Sequence, residues 1–181
     1  INFYKKDCLN IISIARFSEQ KDHACLIRSI NILKDNYNVR LILLGSGSLK
    51  EKIKNLIKNL DLSKNIKLYD FKKNPYPYLI KSDLFILSSK FEGSPNVILE
   101  ALALKKFVIS SDCPTGPKEI LDNGKGGLLF KPGDYKMLSN KIIFYIKNKK
   151  RLEKKRIYAF KRLSRFNYNE RLKEYYEALN F

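Results

Sequence analysis

The sequence predicts an α/β fold in which a doubly wound parallel sheet carries helices on both faces. Short apolar runs with strand character alternate along the chain with segments of helical periodicity. The apolar runs are nearly continuous, as in strands that are covered on both faces, and such strands are typical of parallel sheets. With 181 residues, 44% of them hydrophobic, the chain suits one domain with a full core.

The strands and helices are expected in a regular βα order. The predicted strands are Leu9–Ala15, Arg40–Leu44, Asn65–Tyr69, Leu84–Leu87, Phe107–Ser110 and Gly127–Phe130. Between them, apolar residues recur every three or four positions, which indicates amphipathic helices. Three such helical faces are formed by Cys25, Leu26, Ile30 and Leu33, by Leu49, Ile53, Leu56, Ile57 and Leu60, and by Met137, Leu138, Ile142, Phe144 and Tyr145.

The two ends of the chain bear on its domain organisation. It opens on Ile1 and enters a strand almost at once, which suggests a piece of a longer protein. We expect a Rossmann-like domain over residues 1–148. Residues 149–181 are expected to form a basic helical segment that docks on a missing partner domain.

Charge and cysteine content narrow the class of protein. The net charge is +18, from 36 Lys and Arg against 18 Asp and Glu, and the cations are dense only in the last third. That distribution favours an anionic membrane surface as partner over nucleic acid. Three cysteines without any CxxC pattern indicate a reducing cytoplasm and no structural zinc. No apolar stretch approaches the roughly 20 residues of a membrane span. We therefore expect a cytoplasmic protein, peripheral to the inner face of the membrane.

The loops that follow the predicted strands hold the candidate binding residues, because open parallel sheets bind ligands beyond the carboxyl ends of their strands. Arg16 and Lys21 follow the first strand, and Ser94 and Pro95 read as the N-cap and first residue of a helix after the fourth. Two cations that face a helix N-terminus indicate a diphosphate site. The glycines of Gly45-Ser46-Gly47 do not complete a GxGxxG or GxxxxGK[ST] motif.

Two glutamates frame that predicted helix start. Glu92 lies in the loop, where a carboxylate can accept hydrogen bonds from sugar hydroxyls, and Glu100 lies in an apolar run that predicts a buried helix. A lone buried carboxylate is costly, so we interpret Glu100 as a ligand-binding residue. The alternative is that Glu100 pairs with a lysine. A glycosidase pair is a further alternative, which needs a specific carboxylate separation.

The single histidine, His23, stands near the start of a predicted helix. A structural or capping role is favoured over contact with a phosphate or donor. No Ser/His/Asp or Cys/His nucleophile arrangement is indicated.

Several segments together resemble the C-terminal half of the group 1 glycosyltransferases, the retaining family 4 enzymes of the GT-B fold. The resemblance covers about residues 9–147. Its most specific part is the E-x7-E motif formed by Glu92 and Glu100. The segments that carry it are Ile14-Ala15-Arg16, Lys21-Asp22-His23, Leu43-Leu44-Gly45-Ser46-Gly47, residues 82–89, Glu92-Gly93-Ser94-Pro95-Asn96-Val97-Ile98-Leu99-Glu100-Ala101 and residues 111–120.

This resemblance implies roles for the matching residues. Arg16 and Lys21 would hold the donor diphosphate and stabilise the leaving nucleotide, Glu92 would contact the donor sugar, and Glu100 would bind ribose hydroxyls. The backbone near Gly93, Ser94, Pro95, Asn96 and Val97 would contact sugar and phosphate, with Phe71 at the base and Gly45 also lining the site. Where the family often has a glycine after that phenylalanine, this chain has Lys72-Lys73.

The resemblance also implies the reaction and its partners. We expect hexosyl transfer from UDP-hexose or UDP-N-acetylhexosamine with retained anomeric configuration, in the biosynthesis of a surface glycan, lipopolysaccharide or capsule. No metal and no cofactor are expected. The acceptor would bind to the missing N-terminal domain, so this chain alone is expected to be inactive. The competing class is a nucleic-acid or anionic-surface binding module, supported by charge alone.

Overall fold

The computed structural model describes residues 2–167 of the chain, which form one sheet with helices packed on both faces. The six predicted strands are all found, and each boundary lies within one residue of its prediction. They are β1 (Leu9–Ile14), β2 (Val39–Leu44), β3 (Ile66–Tyr69), β4 (Leu84–Leu87), β5 (Phe107–Ser111) and β6 (Leu128–Phe130).

The sheet is parallel throughout, in the order β3-β2-β1-β4-β5-β6. Side chains of one strand alternate between the two faces. Ile11 therefore joins the apolar cluster on one face, whereas Ile12 joins the cluster on the other. Both residues are fully buried. The doubly wound prediction is confirmed.

Seven helices cover the two faces in the part of the chain that the structure describes. The amphipathic periodicity in the sequence correctly indicates the long helices near the start and end of the domain. The helices are α1 (His23–Leu33), α2 (Lys50–Asn59), α3 (Tyr76–Ile80), α4 (Asn96–Ala103), α5 (Pro117–Ile120), α6 (Tyr135–Lys147) and α7 (Lys149–Lys161), and 3₁₀ turns cover Glu19–Lys21 and Arg162–Phe166.

Helix α4 begins one residue later than predicted. Pro95 occupies the N-cap instead of Ser94, because its ψ of 80° lies outside the helical range. Pro95 is buried against Gly116, and a Cβ on that glycine would lie only 2.6 Å from Pro95 Cδ. Helix α4 is also less buried than predicted: Ile98 is fully buried, whereas Ala103 is exposed. One side of the helix packs on the sheet, and the other side borders the crevice and solvent.

Helix α7 packs on this same domain. Leu152 and Ala159 are buried, and Arg165 in the following turn donates hydrogen bonds to the carbonyls of Glu119 and Ile120 at 2.6 and 2.7 Å. The remainder of the predicted docking segment, residues 168–181, lies outside the described residues. Among the helices that the structure describes, we find none long and apolar enough to span a membrane.

Candidate functional site

The centre of the sheet contains a topological switch point. From β1 the chain runs to one side of the sheet, through β2 and β3, and from β4 it runs to the other side. The residue pairs that join β1 to β4 are Ile11 with Leu84 and Ile12 with Phe85. This pairing ends before either strand does, so a crevice opens between the loops that follow them. Open α/β sheets bind ligands in such a crevice.

Lys21 and Glu92 form an ion pair across this crevice. Lys21 Nζ donates to both oxygens of the Glu92 carboxylate, at 2.6 and 2.7 Å, and Ser89 Oγ donates to Glu92 Oε1 at 2.5 Å. The Glu92 side chain is only 6% exposed and that of Lys21 is 20% exposed. A pair this deeply placed needs supporting hydrogen bonds to offset desolvation, and Ser89 supplies one. The ion pair was not predicted from the sequence, because its partners lie 71 positions apart. The role of Ser89 was not predicted either, although it lies only three positions from Glu92.

The loop after β5 fixes the backbone of Glu92. The Glu92 amide donates to the Pro114 carbonyl at 2.7 Å, and the Glu92 carbonyl accepts from the Thr115 amide and hydroxyl at 3.3 and 2.8 Å. Gly116 adopts a φ of +90°, and a Cβ there would lie 2.9 Å from the Gly93 carbonyl oxygen. A glycine therefore lets this loop approach closely enough to hold Glu92 in place.

A cavity of about 520 Å³ lies beside the ion pair, over the ends of β1 and β2. It brings together five of the predicted site residues, which come from four separate segments. Lys21 and Glu92 are not part of its lining, so the two predicted cations occupy different parts of the site. The cavity lining includes Arg16, Gly45, Phe71, Val97 and Glu100, together with Lys72, Lys73 and Tyr76, of which Tyr76 was not predicted.

Glu100 reaches this cavity as a half-buried carboxylate. Within residues 2–167, no ion pair or hydrogen bond engages that carboxylate, which is contrary to the alternative that a lysine neutralises it. Burial raises the pKa of Glu100 above its usual range. The side chain is thus a partly desolvated hydrogen-bond acceptor that faces the cavity.

The other cavity residues differ in how the fold places them. Arg16 is exposed, and among the described residues nothing forms an ion pair or hydrogen bond with its guanidinium. Phe71 is 68% exposed, so its ring is open to stacking. Gly45 is buried, and a Cβ there would lie 2.0 Å from the Ala15 carbonyl oxygen. Only a glycine lets β2 end so close to β1.

The residues ahead of α4 present an open edge beside the ion pair. Gly93, Ser94 and Asn96 are exposed, whereas Pro95 is buried. Nothing lies within 4 Å of the position that a Cβ on Gly93 would occupy. The Asn96 amide donates to the Ser94 carbonyl at 2.9 Å, whereas the Gly93 and Ser94 amides form no hydrogen bond with residues 2–167 and are open to a ligand.

His23 stands behind the site rather than in it. It is 3% exposed, and its ring meets Phe17 edge-on with the centroids 5.1 Å apart. Burial lowers the pKa of His23 to about 4, so the imidazole is neutral at pH 7. Asp22, not His23, caps α1, by accepting from the Cys25 amide at 3.1 Å. A packing role for His23 agrees with this placement.

A second cavity, of about 530 Å³, lies between α1 and α2. His23, Leu49, Ile53 and Leu56 contribute to its lining. It is as large as the cavity at Arg16 and Glu100, but none of the predicted binding residues reaches it. Over residues 2–167 there is also no cluster of three or more His, Cys, Asp or Glu side chains suited to hold a metal ion.

The fold is that of a Rossmann-like α/β domain with a crevice at its topological switch point. The family model for "Glycosyl transferases group 1" matches residues 3–162, so the chain belongs to this family of glycosyltransferases.

Individual relatives agree with this assignment. An uncharacterized glycosyltransferase of Methanocaldococcus jannaschii is 44% identical over 141 residues, which cover 70% of this chain and 35% of the relative. The N-acetylgalactosamine-N,N'-diacetylbacillosaminyl-diphospho-undecaprenol 4-alpha-N-acetylgalactosaminyltransferase of Campylobacter jejuni is 39% identical over 119 residues, which cover 66% of this chain and 32% of that enzyme. The chain thus spans about a third of the length of these relatives.

Solved structures agree on the fold. TarM of S. aureus, crystallised as a point mutant in complex with Fondaparinux, alpha-GlcNAc-glycerol and UDP, superposes with a TM-score of 0.87 at 22% identity. The match covers 98% of this chain and 36% of that chain. At this level of identity, the likeness is informative about the fold alone.

Proposed function

We propose that this chain is the donor-binding domain of a retaining hexosyltransferase that uses a UDP-sugar to build a bacterial surface glycan. One observation carries the proposal. The switch-point crevice places an unpaired cation, a buried ion pair and a partly desolvated carboxylate side by side, which suits the successive parts of a nucleotide sugar.

The diphosphate is assigned to Arg16 and Lys21. The free guanidinium of Arg16 can form paired hydrogen bonds with phosphate oxygens, and Lys21 Nζ supplies a second positive charge at the neighbouring loop. Lys21 Nζ is already held by Glu92 before any ligand arrives, so it needs little reorganisation when the diphosphate binds. As the bond to the sugar breaks, negative charge grows on the leaving UDP, and both cations stabilise it.

The nucleoside is assigned to the cavity of Glu100. Its carboxylate accepts hydrogen bonds from ribose hydroxyls, and the exposed ring of Phe71 offers a stacking face for the base. Lys72 and Lys73 stand beside Phe71 in the same lining. Their ammonium groups only donate hydrogen bonds, which suits a base rich in carbonyl acceptors such as uracil.

The sugar is assigned to Glu92 and the open edge ahead of α4. Glu92 accepts from hydroxyls of the donor sugar, and the Gly93 and Ser94 amides, which have no partner among residues 2–167, offer hydrogen-bond donors to sugar and phosphate. Similar proteins support a hexose or N-acetylhexosamine donor, because the Campylobacter jejuni enzyme is an N-acetylgalactosaminyltransferase and the TarM crystals contained UDP. No metal or cofactor is invoked, since the two cations can carry the charge.

The acceptor is assigned to a second, N-terminal domain. The chain spans about a third of its relatives' length, and its sheet provides one ligand-binding edge. Transfer requires an acceptor held in line with the anomeric carbon, and such positioning accounts for roughly 7–11 kcal/mol of barrier lowering. This chain alone should therefore bind the donor without transferring the sugar, and residues 149–181 would help to dock it on the second domain.

An anionic membrane surface is proposed as a further partner, on the cytoplasmic side. Residues 147–167 contain ten Lys or Arg and one Asp or Glu. Lys150, Lys154 and Lys161 are exposed along α7 with Ile157, 44% exposed, between them, and this mixture suits lipid headgroups. The chain should sediment with vesicles that contain phosphatidylglycerol and not with phosphatidylcholine alone. Equal sedimentation with both would contradict this.

Thermal unfolding with nucleotides tests the main proposal. UDP should raise the melting temperature, because a ligand that binds only the native state stabilises it by mass action. ADP and GDP should raise it less. An unmoved transition at millimolar UDP, together with retention on a heparin column, would instead support the anionic-surface module.

A further inference from the structure

The two loops that carry Lys21 and Glu92 are joined by hydrogen bonds beyond the ion pair itself. The Lys90 amide donates to the Gln20 carbonyl at 2.8 Å, and Gln20 Nε2 donates to the Phe91 carbonyl at 2.9 Å. Ser88 Oγ donates to the Lys21 carbonyl at 2.9 Å. Gln20 thus both accepts from and donates to the loop after β4.

These bonds lie where the sheet no longer connects the two sides. Pairing between β1 and β4 stops at Ile12 and Phe85, although β1 continues to Ile14 and β4 to Leu87. Beyond that point the loops lie on opposite sides of the crevice. There the loops are joined by the three hydrogen bonds just described, two from side chains and one between backbone groups.

We propose that Gln20 and Ser88 are positioning residues, which hold the Lys21 ammonium and the Glu92 carboxylate in register across the crevice. The proposal rests on the assignment of Lys21 to the diphosphate. Neither residue is predicted to touch the ligand.

The chemistry explains why these two side-chain hydrogen bonds, from Gln20 to Phe91 and from Ser88 to Lys21 and together called the clasp, are needed. A lysine side chain loses much rotamer freedom when it is fixed, so a cation at the end of a mobile loop is a poor phosphate ligand. Ser88 donates to the Lys21 backbone carbonyl. Gln20, the residue before Lys21, donates to the carbonyl of Phe91, the residue before Glu92. The free protein therefore presents a cation that is already placed, and less affinity is lost on binding.

Variants that keep the shape of Gln20 but remove its donor separate positioning from packing. Gln20→Met fills similar space without an N–H, and Gln20→Glu places a carboxylate against the Phe91 carbonyl. Each should weaken UDP by roughly 3- to 10-fold, as expected for one lost hydrogen bond, and leave uridine within 2-fold. Ser88→Ala should behave in the same way, and Ser88→Thr, which keeps the hydroxyl, should restore UDP affinity.

The Lys21→Ala background supplies a matched control. If Gln20 acts through Lys21, then Gln20→Met should cost no further UDP affinity once Lys21 is gone. Equal losses of UDP and uridine, or additive losses in the double variant, would show a merely structural role and overturn the proposal. An unchanged affinity for UDP in Gln20→Met would overturn it as well.

A ligand-free measurement keeps this test independent of the donor assignment. The coupling between Lys21 and Glu92, obtained from a double-mutant cycle of unfolding in urea, should be smaller in Gln20→Met than in the unaltered chain. If UDP fails to bind at all but this coupling falls, the donor assignment is wrong and the clasp stands. If UDP binds and the coupling is unchanged, the clasp is wrong and the donor assignment stands.

Discussion

Replacement of Lys21 by alanine should damage both the stability of the domain and its affinity for UDP. The Glu92 side chain is 6% exposed. Its carboxylate accepts two hydrogen bonds from Lys21 Nζ and one from Ser89 Oγ. Lys21→Ala leaves that negative charge buried with one hydroxyl donor. An uncompensated buried charge is among the few defects that a single substitution makes severe.

The size of the effect follows from the geometry. Removing one partner of a fully buried ion pair costs about 3–5 kcal/mol. The Lys21 side chain is 20% exposed, so water can enter part of the space that it vacates and solvate Glu92. We therefore expect a loss at the lower end of this range, about 3 kcal/mol. For a chain of this length, that loss corresponds to a fall in melting temperature of about 6–12 °C.

Unfolding in urea measures this, with Lys21→Ala/Glu92→Gln as the control. The double variant carries no stranded charge, so it should be more stable than Lys21→Ala alone. The reasoning is refuted if Lys21→Ala unfolds within about 0.5 kcal/mol of the unaltered chain, the scatter typical of surface substitutions. It also fails if the second substitution destabilises the protein further.

Other variants probe the remaining parts of the site. Arg16→Ala should weaken the binding of UDP far more than that of uridine, which lacks the diphosphate, and equal losses for both ligands would contradict the assignment. It should leave the urea midpoint unchanged, because the guanidinium has no partner among residues 2–167. Glu100→Gln should weaken uridine and UDP alike, because the carboxylate is assigned to ribose. Burial raises the pKa of Glu100, so its proton returns at a higher pH than in the unfolded chain. Uridine affinity should therefore fall as the pH is lowered through that raised pKa. Glu100→Gln should be at least as stable as the parent at pH 7 and should abolish this pH dependence. A pH dependence that persists in the variant would point to another group. Gly93→Ala should leave stability unchanged, since nothing lies within 4 Å of the new methyl, but should weaken UDP-sugar binding. Its matched partner Gly116→Ala should lower the urea midpoint, because φ is +90° and the methyl would lie 2.6 Å from Pro95 Cδ; a harmless Gly116→Ala would show that the loop relaxes.

The sequence predicted the fold well because local pattern and global topology agree. Runs such as Leu84–Leu87 are short, apolar and bounded by polar loops, and the structure places all four residues in a buried strand. The start of α4 was misplaced by one residue. The start of this helix depends on a tertiary contact, since Pro95 packs against Gly116 from a loop about twenty positions away.

The site was predicted only in part. Arg16, Phe71 and Glu100 were singled out from their chemistry and their resemblance to family motifs, and the structure brings them to one cavity. The ion pair of Lys21 with Glu92 was missed, as was the clasp. Their partners are distant in sequence. In addition, the acceptors of the Gln20 and Ser88 hydrogen bonds are backbone carbonyls, which any residue type provides.

The most direct test of the central claim is a titration of the isotope-labelled chain with UDP, followed by backbone amide chemical shifts. The cavity between α1 and α2 is as large as the one at the switch point, so it is an alternative place for the ligand. We predict saturable shifts concentrated at Arg16–Lys21, Gly45 and Gly93–Glu100, unchanged by EDTA. Shifts confined to Leu49–Asn59, or none at millimolar UDP, would contradict the assignment of the switch-point crevice as the donor site.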